Sequence, residues 1–523
     1  MPHTRRTLLS GSLAASAALA LPLGAAAPAF ARSGRPSALW GVQSGEVTER
    51  SAAVWTRSDR PAWMYVETSP TESFRRAVRR HPGPLLGPAT DFTGTTTLHG
   101  LPPGQQVHYR VVLAAPDDPR RTGEPVYGTL RTNPVSRRSG VRFLWSGDLA
   151  GQGWGINPDL GGYRVFEEMR LRDPDFFLFS GDTIYADGPI QPSVTLPDGR
   201  VWRNVTTQEK SKVAETLAEF RGNFRYNLLD RNLTAFNAQV PSIVQWDDHE
   251  VRNNWYPGQL LEDPRYSVKQ VDVLAARARR AFGEYFPGTG LSAAAATDRA
   301  GGRIHRVVHH GPLLDVFVLD MRTYRDANSP GRQTTDPVGI LGPEQLAWLK
   351  RELSRSRATW KVIAADMPLG IVVPDGAADF EAVAQGDPGT PLGRELQIAE
   401  LLRHIKHQRV TGTVWLTADV HYTAANHYAP ERAAFTDFAP FWEFVSGPIG
   451  AGGFPHGRLD ATFGPETAYV RSAPVANMSP AEDPPYYGEV EIDGPSAELT
   501  VRLRQQGGGV LFTKTLRPGQ VGQ

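Results

Sequence analysis

The segment Asp175-Phe176-Phe177-Leu178-Phe179-Ser180-Gly181-Asp182-Thr183-Ile184-Tyr185 runs from unbroken apolar residues into a glycine, an acid and a phenol. A short apolar run without alternation is the pattern of an inner strand buried on both faces. Three more runs have this texture: Val141-Arg142-Phe143-Leu144-Trp145, Ile243-Val244-Gln245-Trp246 and Thr413-Val414-Trp415-Leu416-Thr417. Amphipathic stretches at 210–237, 271–285, 343–354 and 394–407 lie among them and predict helices. Strand and helix alternate from about residue 141 to 450, which predicts an α/β domain.

The flanking regions read differently. From 38 to 132, runs such as Ala52-Ala53-Val54-Trp55-Thr56 and Trp63-Met64-Tyr65-Val66-Glu67 are separated by Ser69-Pro70 and Pro102-Pro103-Gly104. Short strands at that spacing, with no helical stretch, predict a β-sandwich of immunoglobulin or fibronectin type. Residues 133–140 have linker composition, and a period of two at 488–492 and 497–503 predicts a closing antiparallel hairpin. The expected division is a targeting segment at 1–31, a sandwich at 38–132 and a catalytic domain at 140–520 that includes the C-terminal strands.

Composition narrows the chemistry. The chain has 523 residues, enough for two or three domains. Its 56 lysines and arginines nearly balance 55 acids, which leaves no general pull toward nucleic acid or anionic lipid. With no cysteine, disulfides, thiolate zinc sites, iron–sulfur clusters and cysteine nucleophiles are excluded. Arg5-Arg6 precede an Ala/Leu-rich stretch that ends in Ala29-Phe30-Ala31, the pattern of a cleaved export signal. The paired arginines resemble a Tat signal, which implies the Tat export machinery as a partner and a secreted or cell-envelope location. Ser, Gly and Pro break the leader's apolar run, so no stable membrane anchor is expected.

Each buried run ends in polar residues: Ser146-Gly147-Asp148, Ser180-Gly181-Asp182 through Tyr185, Asp247-Asp248-His249-Glu250 with Arg252-Asn253-Asn254, and Ala418-Asp419-Val420-His421. Strand carboxyl ends converge on the crevice where α/β sheets bind ligands. Carboxylates gathered there repel one another unless cations lie between them, and Asp, His and Asn donors suit hard or borderline metals. Singly, each cluster is an ordinary turn; four in order, all after buried strands, form a constellation.

That order, Gly-Asp, Gly-Asp-x-x-Tyr, Asp-Asp-His-Glu-x-x-Asn-Asn and Asp-Val-His, resembles the alkaline phosphatase D family of metallophosphoesterases. The N-terminal Gly41-Val42-Gln43-Ser44-Gly45-Glu46-Val47 and Ala53-Val54-Trp55-Thr56-Arg57 are similar to that family's small β-domain. The resemblance implies a metallophosphoesterase-type α/β sandwich preceded by an immunoglobulin- or fibronectin-like sandwich. It implies a ferric ion with one or two calcium ions. Asp182 would bridge metals, Tyr185 would be a phenolate ligand of iron, His421 would bind iron, Asp419 would serve calcium and Asn223 would supply an amide ligand. Asp148 stands where some members carry a cysteine ligand; the resulting oxygen and nitrogen set would admit manganese in place of iron.

Such a site would hydrolyse phosphate esters with a metal-activated hydroxide. Asp248 and His249 would orient the phosphate or assist the leaving group, with Arg252 and Asn254 as donors to substrate. The expected substrates are small-molecule phosphomonoesters or diesters, with phospholipid headgroups as the alternative. A secreted non-catalytic binding protein is the alternative from another class, and the intact ligand set speaks against it. His309-His310, His404 and His407 have no carboxylate beside them in sequence and are read as structural. The long 189–222 stretch is read as a rim or lid, with Trp154 and Trp202 at a pocket or in the core.

Overall fold

The computed structural model describes residues 34–288, 303–335 and 338–519. The export signal expected at 1–31 lies outside the described residues. A nine-stranded and a seven-stranded sheet dominate the fold. In the first, Val141–Ser146, Phe176–Ser180 and Ser242–Gln245 run parallel as neighbours. In the second, Leu314–Val318, Trp360–Ala364, Thr413–Thr417 and Phe441–Val445 do the same.

The apolar runs are buried on both faces because the two sheets stack on each other. Phe143, Trp145, Leu178 and Ile243 meet Val316, Val362, Val414 and Phe444 in one shared core. Their neighbours in sequence point the other way. Leu144, Phe177 and Val244 pack on Phe166, Phe236 and Phe282, and Phe317, Ile363 and Trp415 pack on Leu349, Ile398 and Leu401. The result is four layers, helix–sheet–sheet–helix. Sequence periodicity reports burial on both faces but not what covers each one, so the sheet-on-sheet contact had no signature.

The expected 210–237 helix is two, Leu217–Asn227 and Arg231–Asn237. Asp230 splits it: its carboxylate accepts from Asn232 and Leu233 N–H, each at 2.9 Å, and caps the second helix. Near the N-terminus, Arg79–Leu86, Ala62–Ser69, Gln106–Ala114 and Val126–Arg131 form a four-stranded sheet. It faces Val42–Gly45, Ser51–Arg57 and Thr93–His99 across a core of Val54, Met64, Val66, Leu98 and Val111. Those three strands also extend the nine-stranded sheet, because Gly45 pairs in parallel with Ser242. At the other edge Tyr486–Ile492 pairs antiparallel with Val141–Ser146, Gly488 opposite Trp145.

Candidate metal centre

The polar clusters follow the carboxyl ends of adjacent strands in both sheets, so stacking the sheets brings them to one rim. Asp148, Asp182, Asp419 and His421 all have positive φ, between 48° and 70°. Left-handed backbone is uncommon for residues other than glycine and concentrates at functional sites.

Three groups of acid and histidine atoms lie within 4.8 Å of one another: Asp148–Asp182–His421, Asp182–Asp248–His249 and Asp247–Asp248–Asp419. Asp182 joins the first to the second and Asp248 the second to the third, so the groups are continuous. The Tyr185 hydroxyl lies 2.7 Å from His421 Nε2, and His421 Nδ1 lies 2.7 Å from the Gly452 carbonyl. That carbonyl accepts from Nδ1–H and leaves Nε2 facing Asp148 Oδ1 at 3.4 Å, the arrangement of a metal-ligating imidazole. Asp148 Oδ2, Asp247 Oδ2 and Asp248 Oδ1 are buried with no hydrogen-bond partner. Buried acceptors without donors are costly, and a cation between them removes the cost. The residues present therefore fit hard cations.

The electrostatics agree. Burial, then the charges of Asp248, Glu250 and Asp148, push the Asp182 carboxyl well above its ordinary range. Burial and the Asp182, Asp148 and Asp248 carboxylates push the Tyr185 phenol up in the same way. Burial disfavours charge on His249, but Asp187, Asp248 and Asp182 outweigh it and raise the imidazole well above its usual value. His249 Nδ1 lies 2.7 Å from Asp187 Oδ1, and the ring stacks on Tyr185 with centroids 4.1 Å apart.

The other expected residues fall in different places. Asp248, read as substrate-side, belongs to two of the acidic groups. Arg252 is directed to Gln259 Oε1 at 3.2 Å and does not line the cavity over the site. Asn254 lines that cavity, but its amide donates to Asp375 Oδ1 at 2.9 Å. Asn223 donates to the Glu219 carbonyl of its own helix at 3.0 Å. Asn227, one turn later, reaches the Thr183 carbonyl at 2.8 Å. The 189–222 stretch does not line the cavity; Trp202, in a ribbon of Ser193–Thr195 with Val201–Arg203, packs edge-on against Trp154 at 5.5 Å. His309 and His407 do have carboxylate partners, Asp315 at 2.7 Å and Asp437 at 3.0 Å, supplied by the fold rather than by sequence neighbours.

Several site residues went unread in the sequence. Asp366 follows Trp360–Ala364 and Arg322 follows Leu314–Val318, both at strand ends like the others. Arg322 is fully buried, ion-paired with Asp247 and Glu381, and 3.6 Å from Asp419. Glu250, quoted in the sequence cluster without a role, is a staple: its carboxylate accepts from Thr183 and Asp247 N–H at 2.6 and 2.7 Å. Gly151 lies against the Tyr185 ring, where a Cβ would come within 2.6 Å of it. Lys210 donates to the Tyr185 carbonyl at 2.6 Å. An acid after a fifth apolar run was a legible signal; Gly151 and Lys210 had none.

Comparison with known proteins returns one family twice. Residues 143–503 match the model of the PhoD-like phosphatase family, and residues 24–134 match its N-terminal domain. Alkaline phosphatase D of Bacillus subtilis (strain 168) is 27% identical over 441 residues, covering 79% of this chain and 69% of that one. A solved structure of PhoD superposes with a TM-score of 0.68 at 22% identity, over 92% of this chain and 89% of the other. A purple acid phosphatase, PPD1 from yellow lupin seeds, superposes with a TM-score of 0.53 at 13% identity, over 92% and 74%.

Proposed function

Since the chain belongs to the PhoD-like phosphatase family and is a phosphoester hydrolase, we propose that it works as a secreted, metal-dependent enzyme on small phosphate esters. The observation that carries this reading is the continuity of the three acid and histidine groups through Asp182 and Asp248. Asp148, Asp182, Tyr185 and His421 form the oxygen and nitrogen set for a trivalent or small divalent ion, iron or manganese. Asp247, Asp248 and Asp419 form the all-carboxylate group that would hold calcium. When bound, the cations neutralise the phosphate's nonbridging oxygens and acidify a water to near neutrality.

The protein's own groups do the rest. Asp187 accepts from His249 Nδ1–H, which leaves Nε2–H to donate to the leaving oxygen. Stacking on Tyr185 fixes the imidazole plane against the candidate ligands. Glu250 ties the Asp182 and Asp247 loops together, so the two halves of the site keep their spacing. Asn254 lines the cavity and holds its wall through Asp375.

Export by the Tat route is part of the proposal and rests on Arg5-Arg6 and Ala29-Phe30-Ala31. No helix among the described residues is long and apolar enough to cross a membrane. The test is turnover of p-nitrophenyl phosphate, bis-p-nitrophenyl phosphate and phosphatidylcholine with iron and calcium supplied, beside elemental analysis of the active protein. Hydrolysis of at least one ester by a metal-loaded form is expected; full activity in a metal-free form would overturn the metal assignment.

A further inference from the structure

Two unfavourable features meet behind the metal centre. Lys210 is 2% exposed, and its Nζ, which carries several N–H groups, donates to one acceptor among the described residues, the Tyr185 carbonyl at 2.6 Å. Gly222 stands inside the helix Leu217–Asn227, where glycine is disfavoured, and a Cβ there would lie 2.3 Å from that of Glu209. Glu209 and Lys210 are neighbours on one short turn, Glu209–Ser211. The bare glycine lets this turn sit directly on the helix, and the buried amine reaches from the turn to the loop that carries Tyr185.

The rest of segment 209–214 repeats the contact. The Lys210 carbonyl accepts from Ile190 N–H at 2.9 Å, and the Ala186 carbonyl accepts from Ala214 N–H at 2.8 Å. Ala186 N–H in turn donates to the His249 carbonyl at 2.8 Å. The 185–190 loop is thus laced between the His249 segment and an outer strap. The strap is fastened beyond the catalytic layers: Arg225 joins Glu209, at 2.7 Å, to Asp91 beside the sandwich strand Thr93–His99, at 2.5 Å.

We infer that Lys210 is a positioning residue for the hydrolysis, through which a strap anchored on the N-terminal sandwich holds the loop of Tyr185 and Asp187 against the metal centre. The inference rests on the phosphoesterase reading and adds to it a role for the sandwich and for part of the 189–222 stretch. Lys210 does not line the cavity and acts by fixing the Tyr185 main chain, and with it the phenol 2.7 Å from His421 Nε2. Asp187, on the same loop, orients His249. Shifts on the order of 1 Å in such groups are enough to slow a reaction. The Tyr185 carbonyl also accepts from Gly188 N–H at 3.2 Å, so removing Lys210 does not leave it bare.

Lys210→Met keeps the reach of the side chain and removes the amine. The full chain carrying it should lose about tenfold in kcat on whichever p-nitrophenyl ester the native protein turns over, with KM unchanged and metal content retained. Its Tm should stay level or rise, because a buried amine with unmet N–H groups is gone. Amide hydrogen exchange should quicken about tenfold in peptides spanning 183–190. Glu209→Gln should quicken the same peptides and lower kcat less, and the double variant should lose no more than Lys210→Met alone. Lys212→Met, on a half-exposed side chain paired with Glu219, should change none of these. Native kcat in Lys210→Met, a fall in its Tm, or unchanged exchange at 183–190 would each overturn the inference and leave the phosphoesterase reading standing. Additive losses in the double variant would overturn the anchoring on the sandwich. Turnover of neither ester, nor of phosphatidylcholine, by the native protein would overturn the phosphoesterase reading, while exchange at 183–190 would still decide whether Lys210 holds the loop.

Discussion

Asp182 is the residue through which two of the acidic groups share a carboxylate, and its backbone is left-handed to allow it. Asp182→Asn should remove bound metal and lower kcat by more than the roughly 100-fold that follows loss of an outer-shell partner. Circular dichroism should show the fold intact; an active, metal-loaded variant would refute the assignment. Asp187→Asn makes a different prediction. It frees the His249 ring, so esters with poor alkyl leaving groups should slow by about 10²-fold while p-nitrophenyl esters, which need little protonation, slow far less. Equal losses on both would show that Asp187 only holds the loop. That Asp182, Tyr185, Asp419 and His421 meet at one rim was legible because each follows a buried run in a fixed motif. Asp187 was not, since its partner is 62 residues away and only the meeting of two loops pairs them.

At the scale of elements, strands were read well and their company poorly. Phe176–Ser180 and Thr413–Thr417 lie where unbroken apolar runs put them, yet no pattern said that two sheets would stack rim to rim. Helix boundaries failed where a polar residue served a cap, as at Asp230. The helix Glu395–His407 carries a measurable oddity at its start. Burial pushes the Glu395 carboxyl up to about 8, and its Oε1 has no partner. A carboxyl whose folded value is raised binds a proton more tightly than the unfolded chain does. Its contribution is therefore complete below the unfolded value, about 4.3, and is lost as pH rises through about 8. Glu395→Gln removes the titration. Between pH 5 and 9 the native protein should lose several degrees of Tm relative to this variant; parallel curves would show that Glu395 is ionised in the fold.

At the scale of the whole molecule, the N-terminal sandwich and the catalytic layers share a sheet and a partly buried ionic hub. Asp91 lies in the turn before Thr93–His99 and receives Arg57 at 2.9 Å, Arg225 at 2.5 Å and the Tyr285 hydroxyl at 2.5 Å. Arg57 belongs to the sandwich, whereas Arg225 and Tyr285 come from two helices that cover the catalytic sheet. Trp55 adds a second tie, its indole N–H donating to the Glu284 carbonyl at 2.8 Å. The arginines hold the Asp91 carboxyl below its ordinary range despite burial, so the hub is ionised at neutral pH. Taking away the acid leaves the Arg57 guanidinium without its carboxylate, while Arg225 keeps Glu209 at 2.7 Å. Breaking a buried pair from one side costs about 3–5 kcal/mol, and a partly exposed hub stands at the lower end of that range. Asp91→Ala should therefore lower stability by about 3 kcal/mol. Because the sheet is continuous through Gly45 and Ser242, the loss should appear in one shifted unfolding transition rather than in an early step confined to the sandwich. Calorimetry of the protein separates the outcomes: two resolved transitions in the native protein would mean that the shared sheet does not couple the two regions.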